Sequence, residues 1–205
     1  FTRPPSRTKS PASSVADGLA ALQRATTLDP AYAPAWAQLA SAYFLSRRAS
    51  TGFGNMALEE AQPLARAALA TAKRLDPELD DAYAVEGVIK QFFDSDLAGA
   101  LEAHERALAR NPGNAQALQW RADLLARFGR YKESLEQRLA LAAIDPLLAT
   151  NNNSIARDLA MFGRNAEAEA YARRLDNTDP AWATFARAGI YSYAGEWGEA
   201  MSALV

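Results

Sequence analysis

The sequence predicts an all-α protein built as an α-solenoid, a stack of repeated antiparallel helix pairs. Apolar residues recur at three- and four-residue steps along most of the chain, which is the period of one helix face. Glycines stand where these runs stop, and glycine accepts the left-handed backbone of a helix end. An Asp-Pro or Asn-Pro dipeptide then recurs, with successive prolines 47, 35, 34 and 34 residues apart, at Asp29-Pro30, Asp76-Pro77, Asn111-Pro112, Asp145-Pro146 and Asp179-Pro180.

The segment from Ala115 to Pro146 shows the repeating unit most clearly. Its first half carries an apolar helix face that Gly129 ends, and its second half carries another apolar face. The apolar positions are Leu118, Ala122 and Leu125 in the first helix and Tyr131, Leu135 and Leu139 in the second. Each helix has more apolar surface than its partner can cover. The unit therefore requires copies of itself stacked on both sides.

The dipeptide spacing divides the chain into repeats. Proline suits the entry to a helix, and the preceding Asp or Asn can bond the local backbone of the turn. The first spacing is 13 residues longer than a 34-residue period, which indicates an insertion between Tyr43 and Ala65. There, Pro63 is expected in the first turn of a helix that ends at Leu75. The predicted divisions are a Pro- and Ser-rich linker at 1–14, a partial repeat at 15–30 that is helical from Val15, repeats at 31–77, 78–112, 113–146 and 147–180, and a truncated repeat at 181–205.

Residues at equivalent places in the repeats share their size. A first helix follows a large–large–small–large order at Trp36, Leu39, Ala40 and Tyr43. A small residue recurs in the second helices, where two helices cross closely, at Ala65, Ala100, Ser134, Ala168 and Ala200. These positions resemble the tetratricopeptide repeat (TPR) family over residues 15–205. The resemblance implies a right-handed superhelix whose first helices line a concave groove that binds a protein or peptide.

Two stretches resemble a narrower group of arrays. They run from Ala57 to Pro77 and from Phe92 to Pro112. They look like the C-terminal TPR arrays of bacterial winged-helix regulators, adenylate cyclases and kinases, with departures at Leu97, where Trp is expected, and at His104, where Phe is expected. This resemblance implies the sensory or interaction region of a larger bacterial signalling or transcription-regulating protein. The compartment stays open between the cytoplasm and, if a membrane span precedes residue 1, the periplasm.

Composition excludes several classes of function. The 205-residue chain has a formal net charge of −2, no cysteine and one histidine. Disulfides and thiolate chemistry are excluded, and no basic cluster indicates nucleic-acid binding. No phosphate-binding loop or nucleophile elbow occurs, and His104 is expected to pack in the core. We therefore expect a protein that is not an enzyme, has no cofactor or metal, and makes no membrane contact through the array itself.

The groove positions implied by the TPR resemblance are polar in the third and fourth repeats. Amide and guanidinium groups there can bind a peptide backbone or a carboxylate. The run Asn151–Ser154 has a second interpretation, the capping turn of a helix. A chaperone-tail clamp is not expected, because its Lys and Asn positions are not matched by Ala37, Ser41, Val85 and Trp120. The predicted ligand-binding residues are Gln119, Asp123, Asn153 and Arg157.

Two other functions stay open at this point. The same polar residues suit a small-ligand sensor. The second helix of the last repeat is incomplete and leaves an apolar edge. A homodimer through this C-terminal edge predicts Tyr191, Trp197 and Leu204 buried between two chains.

Overall fold

The chain is all-α. The computed structural model describes residues 11–47, 54–176 and 178–202, and no β-strand occurs in these ranges. No helix among them is long and apolar enough to cross a membrane. The predicted all-α class is confirmed. The described helices are α1 (Pro11–Leu28), α2 (Ala33–Ser46), α3 (Leu58–Leu75), α4 (Asp80–Phe92), α5 (Leu97–Arg110), α6 (Ala115–Arg127), α7 (Tyr131–Ile144), α8 (Ala149–Met161), α9 (Asn165–Leu175), α10 (Pro180–Ala194) and α11 (Trp197–Ser202).

The helices pack in two compact units, residues 1–112 and residues 113–205. In unit 1, α2 packs on α1, α3 and α4, and α4 packs on α5. In unit 2, α7 packs on α6 and α8, while α10 packs on α8, α9 and α11. The first helix of each hairpin is therefore α2, α4, α6, α8 or α10, and the second is the helix that follows it.

The turns use the chemistry that the dipeptides predict. After Asp29, Asp76 and Asp145, the aspartate Oδ1 accepts a hydrogen bond from the backbone N–H two residues later, at 3.1, 2.9 and 3.1 Å. This bond closes the turn into the next helix. The turns inside the hairpins need a left-handed residue instead, and φ is 75°, 73° and 80° at Gly129, Gly163 and Gly195.

The small positions of the second helices lie in the core, as the sequence predicts. Ala65, Ala100, Ser134 and Ala168 are fully buried, and Ala200 is nearly so. The hydroxyl of Ser134 donates a hydrogen bond of 2.8 Å to the carbonyl oxygen of Ala122 on the paired helix. A larger side chain at these positions would force the two helices apart.

Two boundaries differ from the prediction. Helix α1 begins at Pro11 rather than Val15, so the last four residues of the predicted linker are helical, and residues 1–10 lie outside the described part. Proline suits the first turn of a helix because its missing N–H has no partner there. Helix α3 begins at Leu58, which puts Pro63 inside the helix rather than in its first turn. Pro63 is exposed, so water can reach the carbonyl group of Glu59 that it leaves without a helical donor.

Candidate functional site

The four predicted ligand-binding residues lie on the first helices of unit 2. Gln119 and Asp123 are one turn apart on α6, and Asn153 and Arg157 are one turn apart on α8. Helix α10, which packs on α8, adds two exposed aromatic residues. The first-helix face of unit 2 is the surface formed by Gln119, Asp123, Asn153, Arg157, Phe185 and Tyr193.

A buried arginine on α7 connects α6 with α8. Nη2 of Arg138 donates to Oδ1 of Asp123 at 2.7 Å, and its Nε donates to Oδ2 of Asp158 at 3.0 Å. Oδ1 of Asp158 lies 3.5 Å from Nη2 of Arg157. The side chains of Arg138 and Asp158 are each 3% exposed, while those of Asp123 and Arg157 are 37% and 47% exposed. The structure thus brings together the two predicted charges through a buried pair.

Burial dominates the electrostatics of this network. It raises the pKa of the Asp158 carboxyl because the ionised form loses its hydration, and the charges and hydrogen bonds of Arg138 and Arg157 oppose this shift. A buried ion pair of this kind is costly to break, because removing one partner leaves the other charge buried alone. The network therefore fixes the position of Asp123 and of the buried Asp158 carboxylate, which lies beside Arg157.

The sequence-based prediction missed Arg138 and Asp158. No motif marks either residue, because neither lies at a groove position of the repeat. A positional signal was available: Arg138 follows His104 by 34 residues, one repeat period, and His104 was expected in the core. An arginine at a core position requires a buried partner of opposite charge.

The asparagine run holds α8 in place. It lies inside α8, so the interpretation of Asn151–Ser154 as a capping turn is wrong. Nδ2 of Asn151 donates to the carbonyl oxygen of Arg138 at 2.9 Å, and Nδ2 of Asn152 donates to that of Pro146 at 2.9 Å. The two amides are buried and bind backbone that lies outside α8. They therefore belong to the scaffold rather than to the ligand-binding surface.

Gln119 and Asn153 have a different environment from the buried amides. Both are half-buried, and within the described part of the chain neither side chain hydrogen-bonds another residue. Each carboxamide retains two donors and an acceptor. These groups can pair with the N–H and C=O groups of an extended peptide.

Helix α10 contributes an aromatic stripe with a gap. Phe185 is 57% exposed and Tyr193 is 52% exposed, with Gly189 one helical turn from each. A Cβ atom at Gly189 would lie 3.9 Å from Cγ of Arg157, which is ordinary van der Waals contact. The aliphatic part of Arg157 therefore lies beside the gap in the stripe. The Phe185 ring also contacts Trp182, with ring centroids 6.0 Å apart.

A separate cavity lies where α7 meets the turn between α8 and α9. Its volume is about 370 Å³, and no feature of the sequence predicts it. It contains none of the residues of the first-helix face. Its lining residues are Lys132, Leu135, Glu136, Leu139, Phe162 and Arg164.

The single histidine has a packing role in unit 1, which confirms the prediction. His104 is fully buried, and a Cβ atom at Gly87 would lie 2.4 Å from its Cε1. The imidazole therefore fills the space that glycine leaves on the paired helix. Among the described residues, no cluster of three or more His, Cys, Asp and Glu residues is arranged to hold a metal ion.

The fold is similar to that of several solved structures. PilW, a type IV pilus biogenesis factor, matches with a TM-score of 0.65 and 16% identity over 93% of this chain and 83% of PilW. PilF of Pseudomonas aeruginosa matches with a TM-score of 0.63 and 22% identity over 85% of this chain and 74% of PilF. YrrB, described as a TPR protein with an unusual peptide-binding site, matches with a TM-score of 0.59 and 19% identity over 89% of this chain and 88% of YrrB.

No protein-family profile and no curated protein sequence matches the chain. The identities to the solved structures, 16–22%, establish the fold. The chain has the tetratricopeptide-repeat fold, which confirms the fold implied by its resemblance to TPR proteins.

Proposed function

We propose that this tetratricopeptide-repeat chain is a non-catalytic scaffold that binds an extended segment of a partner protein on the first-helix face of unit 2. The observation that carries the proposal is the ionic network through Arg138. It holds the half-exposed carboxylate of Asp123 in place through the buried Arg138, and it fixes the buried carboxylate of Asp158 beside the exposed Arg157. Side chains that are fixed before binding lose less conformational entropy when a ligand arrives.

The exposure of the face favours a peptide over a small molecule. Small-molecule sites usually enclose most of the ligand surface. Here the side chains of Asp123 and Arg157 are 37% and 47% exposed, and Phe185 is 57% exposed. An open surface with carboxylate, guanidinium, amide and aromatic groups suits an extended chain, which presents backbone and side chains together. The description of YrrB as a peptide-binding protein of similar fold supports the same choice.

We also propose that the array is the sensory or interaction region of a larger bacterial signalling or regulatory protein. The support is the resemblance of the stretches Ala57–Pro77 and Phe92–Pro112 to arrays of that class. The complete reading frame that encodes the chain tests this directly. A winged-helix, cyclase or kinase domain in the same frame supports the proposal, and a frame that encodes repeats alone contradicts it.

Peptide selection tests the binding function. The full chain is immobilised and used to select from a displayed library of random peptides, and Kd for the selected peptides is measured by calorimetry. We expect Arg157→Ala and Asn153→Ala each to weaken binding by about fivefold or more, since each removes hydrogen bonds to the ligand. Lys132→Ala, in the separate cavity on α7, is the matched control and should leave Kd unchanged.

Two results would contradict the proposal. One is a selection that enriches no peptide. The other is a selected peptide whose Kd responds to Lys132→Ala and not to the changes on α8, because binding would then lie in the cavity between Leu135 and Phe162.

A homodimer through the C-terminal edge is a second candidate, favoured by exposed apolar side chains on α11. Trp197 is 67% exposed and Met201 is 65% exposed, whereas Tyr191 is half-buried. Leu204, the third residue of the predicted interface, lies outside the described residues. Light scattering tests the candidate: a dimer that Trp197→Ser converts to a monomer supports it, and a monomeric wild-type chain excludes it.

A further inference from the structure

We infer that the segment bound by unit 2 carries an acidic side chain, which binds Arg157, between two apolar side chains, which pack on Phe185 and Tyr193. The inference rests on the proposed function, because it describes the partner of the same face. It specifies the chemistry of the ligand and the spacing of its three contacts.

The charge balance of the ionic network favours an acid at Arg157. Arg138 is bonded to both Asp123 and Asp158 at 2.7 and 3.0 Å. The separation between Arg157 and Asp158 is 3.5 Å, which is longer than the 2.7–2.9 Å of a strong charge-assisted hydrogen bond. Asp158 is therefore held chiefly by Arg138. Arg157 keeps most of its five N–H donors for another acceptor, and a carboxylate fits two of them at once.

The aromatic stripe of α10 favours apolar neighbours on either side of the acid. Phe185 and Tyr193 are both more than half exposed and lie on the same side of the helix, two turns apart. The stem of Arg157 lies beside Gly189, midway between them. The order of chemistry along this side of α10 is therefore aromatic, cationic, aromatic. Its complement is apolar, acidic, apolar.

The dimensions of the stripe set the spacing in the ligand. Eight helical residues at 1.5 Å each separate the two aromatic positions by about 12 Å along α10. An extended chain covers that distance in about four residues, at about 3.3 Å each. Alternate side chains of an extended segment point the same way. The bound segment therefore has the pattern apolar–x–acidic–x–apolar and runs along α10.

The test compares pools of synthetic peptides that differ at one position. The probes are fluorescein-labelled, C-terminally amidated peptides of roughly twelve residues. Their centre is Leu-x-Glu-x-Leu in one pool and Leu-x-Gln-x-Leu in the matched pool, with x and the flanks drawn from Ala, Ser and Thr. Fluorescence anisotropy with the full chain gives Kd for each pool. We expect the Glu pool to bind about tenfold more tightly than the Gln pool. This ratio of the two Kd values, the Glu preference, should fall as the salt concentration is raised.

Variants of the chain locate the source of this preference. Arg157→Gln should bring the ratio close to one, while Arg173→Gln, which removes an exposed charge on α9, should preserve it. Phe185→Ser should weaken both pools and keep the ratio. Circular dichroism of each variant verifies that the helices are retained.

Several outcomes would overturn the inference. If both pools bind with the same Kd and Phe185→Ser weakens both, the peptide binds at this face but the inferred preference for an acidic residue is wrong. If the Glu preference survives Arg157→Gln, the acid binds elsewhere. If binding requires a free C-terminus in place of the amide, the ligand is a terminal carboxylate rather than an internal acid. If no pool binds and the library selection also enriches no peptide, both the proposed function and the inference are wrong.

Discussion

Units 1 and 2 fill the same position of the repeat with different chemistry. His104 stands eight residues before Pro112, and Arg138 stands eight residues before Pro146. Both are buried, with exposed fractions of 0% and 3%. The imidazole of His104 packs against Gly87, whereas the guanidinium of Arg138 binds two carboxylates. Repeat register thus decides that the position is buried, and the neighbouring residues decide which side chain fits there.

The neighbours differ in a way that explains the outcome. In unit 1 the residue equivalent to Asp123, 35 positions earlier, is Val88, which is buried and apolar. In unit 2 the residue equivalent to Gly87 is Ala122, which is buried and carries the methyl group that glycine lacks. The imidazole ring of His104 fits the first environment, where glycine leaves space for it. A long cation that reaches the carboxylates of Asp123 and Asp158 fits the second, and of these two acids Asp123 is partly exposed.

The largest expected effect is at Arg138. Arg138→Met should lower the free energy of unfolding by about 3–5 kcal/mol, because Asp158 is then buried without its main partner. Chemical denaturation of the full chain at neutral pH measures the loss. The double variant Arg138→Met with Asp158→Leu should regain most of it, since a buried ion pair can be replaced by apolar residues at little cost. A loss near zero in the single variant would mean that the pair is solvated in solution.

A smaller effect is expected at the matching place in unit 1. Gly87→Ala puts a Cβ atom 2.4 Å from a ring atom of His104, so the buried imidazole must move. Overpacking of this kind costs about 1–3 kcal/mol. The matched control is Gly18→Ala at an exposed position of α1, where an added Cβ atom would have no neighbour within 4 Å. The control should be neutral or stabilise the chain by about 0.5–1 kcal/mol. Equal thermal midpoints for Gly87→Ala and the control would show that His104 does not occupy this space.

The smallest expected effect is a pH dependence of the unfolding free energy that arises from Asp158 in unit 2. Because the pKa of Asp158 is raised in the folded state, the folded chain binds a proton more readily than the unfolded chain. The contribution of Asp158 to stability is therefore fully present below its unfolded pKa and is lost as pH rises through the raised folded value. Subtracting the unfolding free energy of Asp158→Asn from that of the wild type should give a difference that falls with rising pH over that window. A difference that rises instead would mean that Arg138 and Arg157 outweigh the desolvation.

Local chemistry explains why so much of the fold was predictable. The turns after Asp29, Asp76 and Asp145 close through a side chain and a backbone group two residues apart, so the dipeptide alone marks the next helix. Helix α3 was harder to delimit, because Pro63 lies inside it, where proline loses a backbone hydrogen bond and its ring crowds the preceding turn, so the sequence favours a helix start there. The asparagine run was misinterpreted because asparagine is favoured at helix caps, and only the packing of α7 beside α8 provides the carbonyl that Asn151 binds.

The sequence by itself determined the all-α class, the repeat register and the helix faces, because helical period and turn chemistry involve residues that are neighbours in the chain. The resemblance to TPR proteins further predicts Asp123 and Arg157 at groove positions of the first helices. Only the tertiary structure decided that these two charges belong to one network. Arg138 is 15 residues from Asp123 and 20 from Asp158, so their contacts depend on how α7 packs between α6 and α8. The packing of α7 decides which carboxylates Arg138 contacts, and these contacts are required because burying a charge without a partner costs a large free energy.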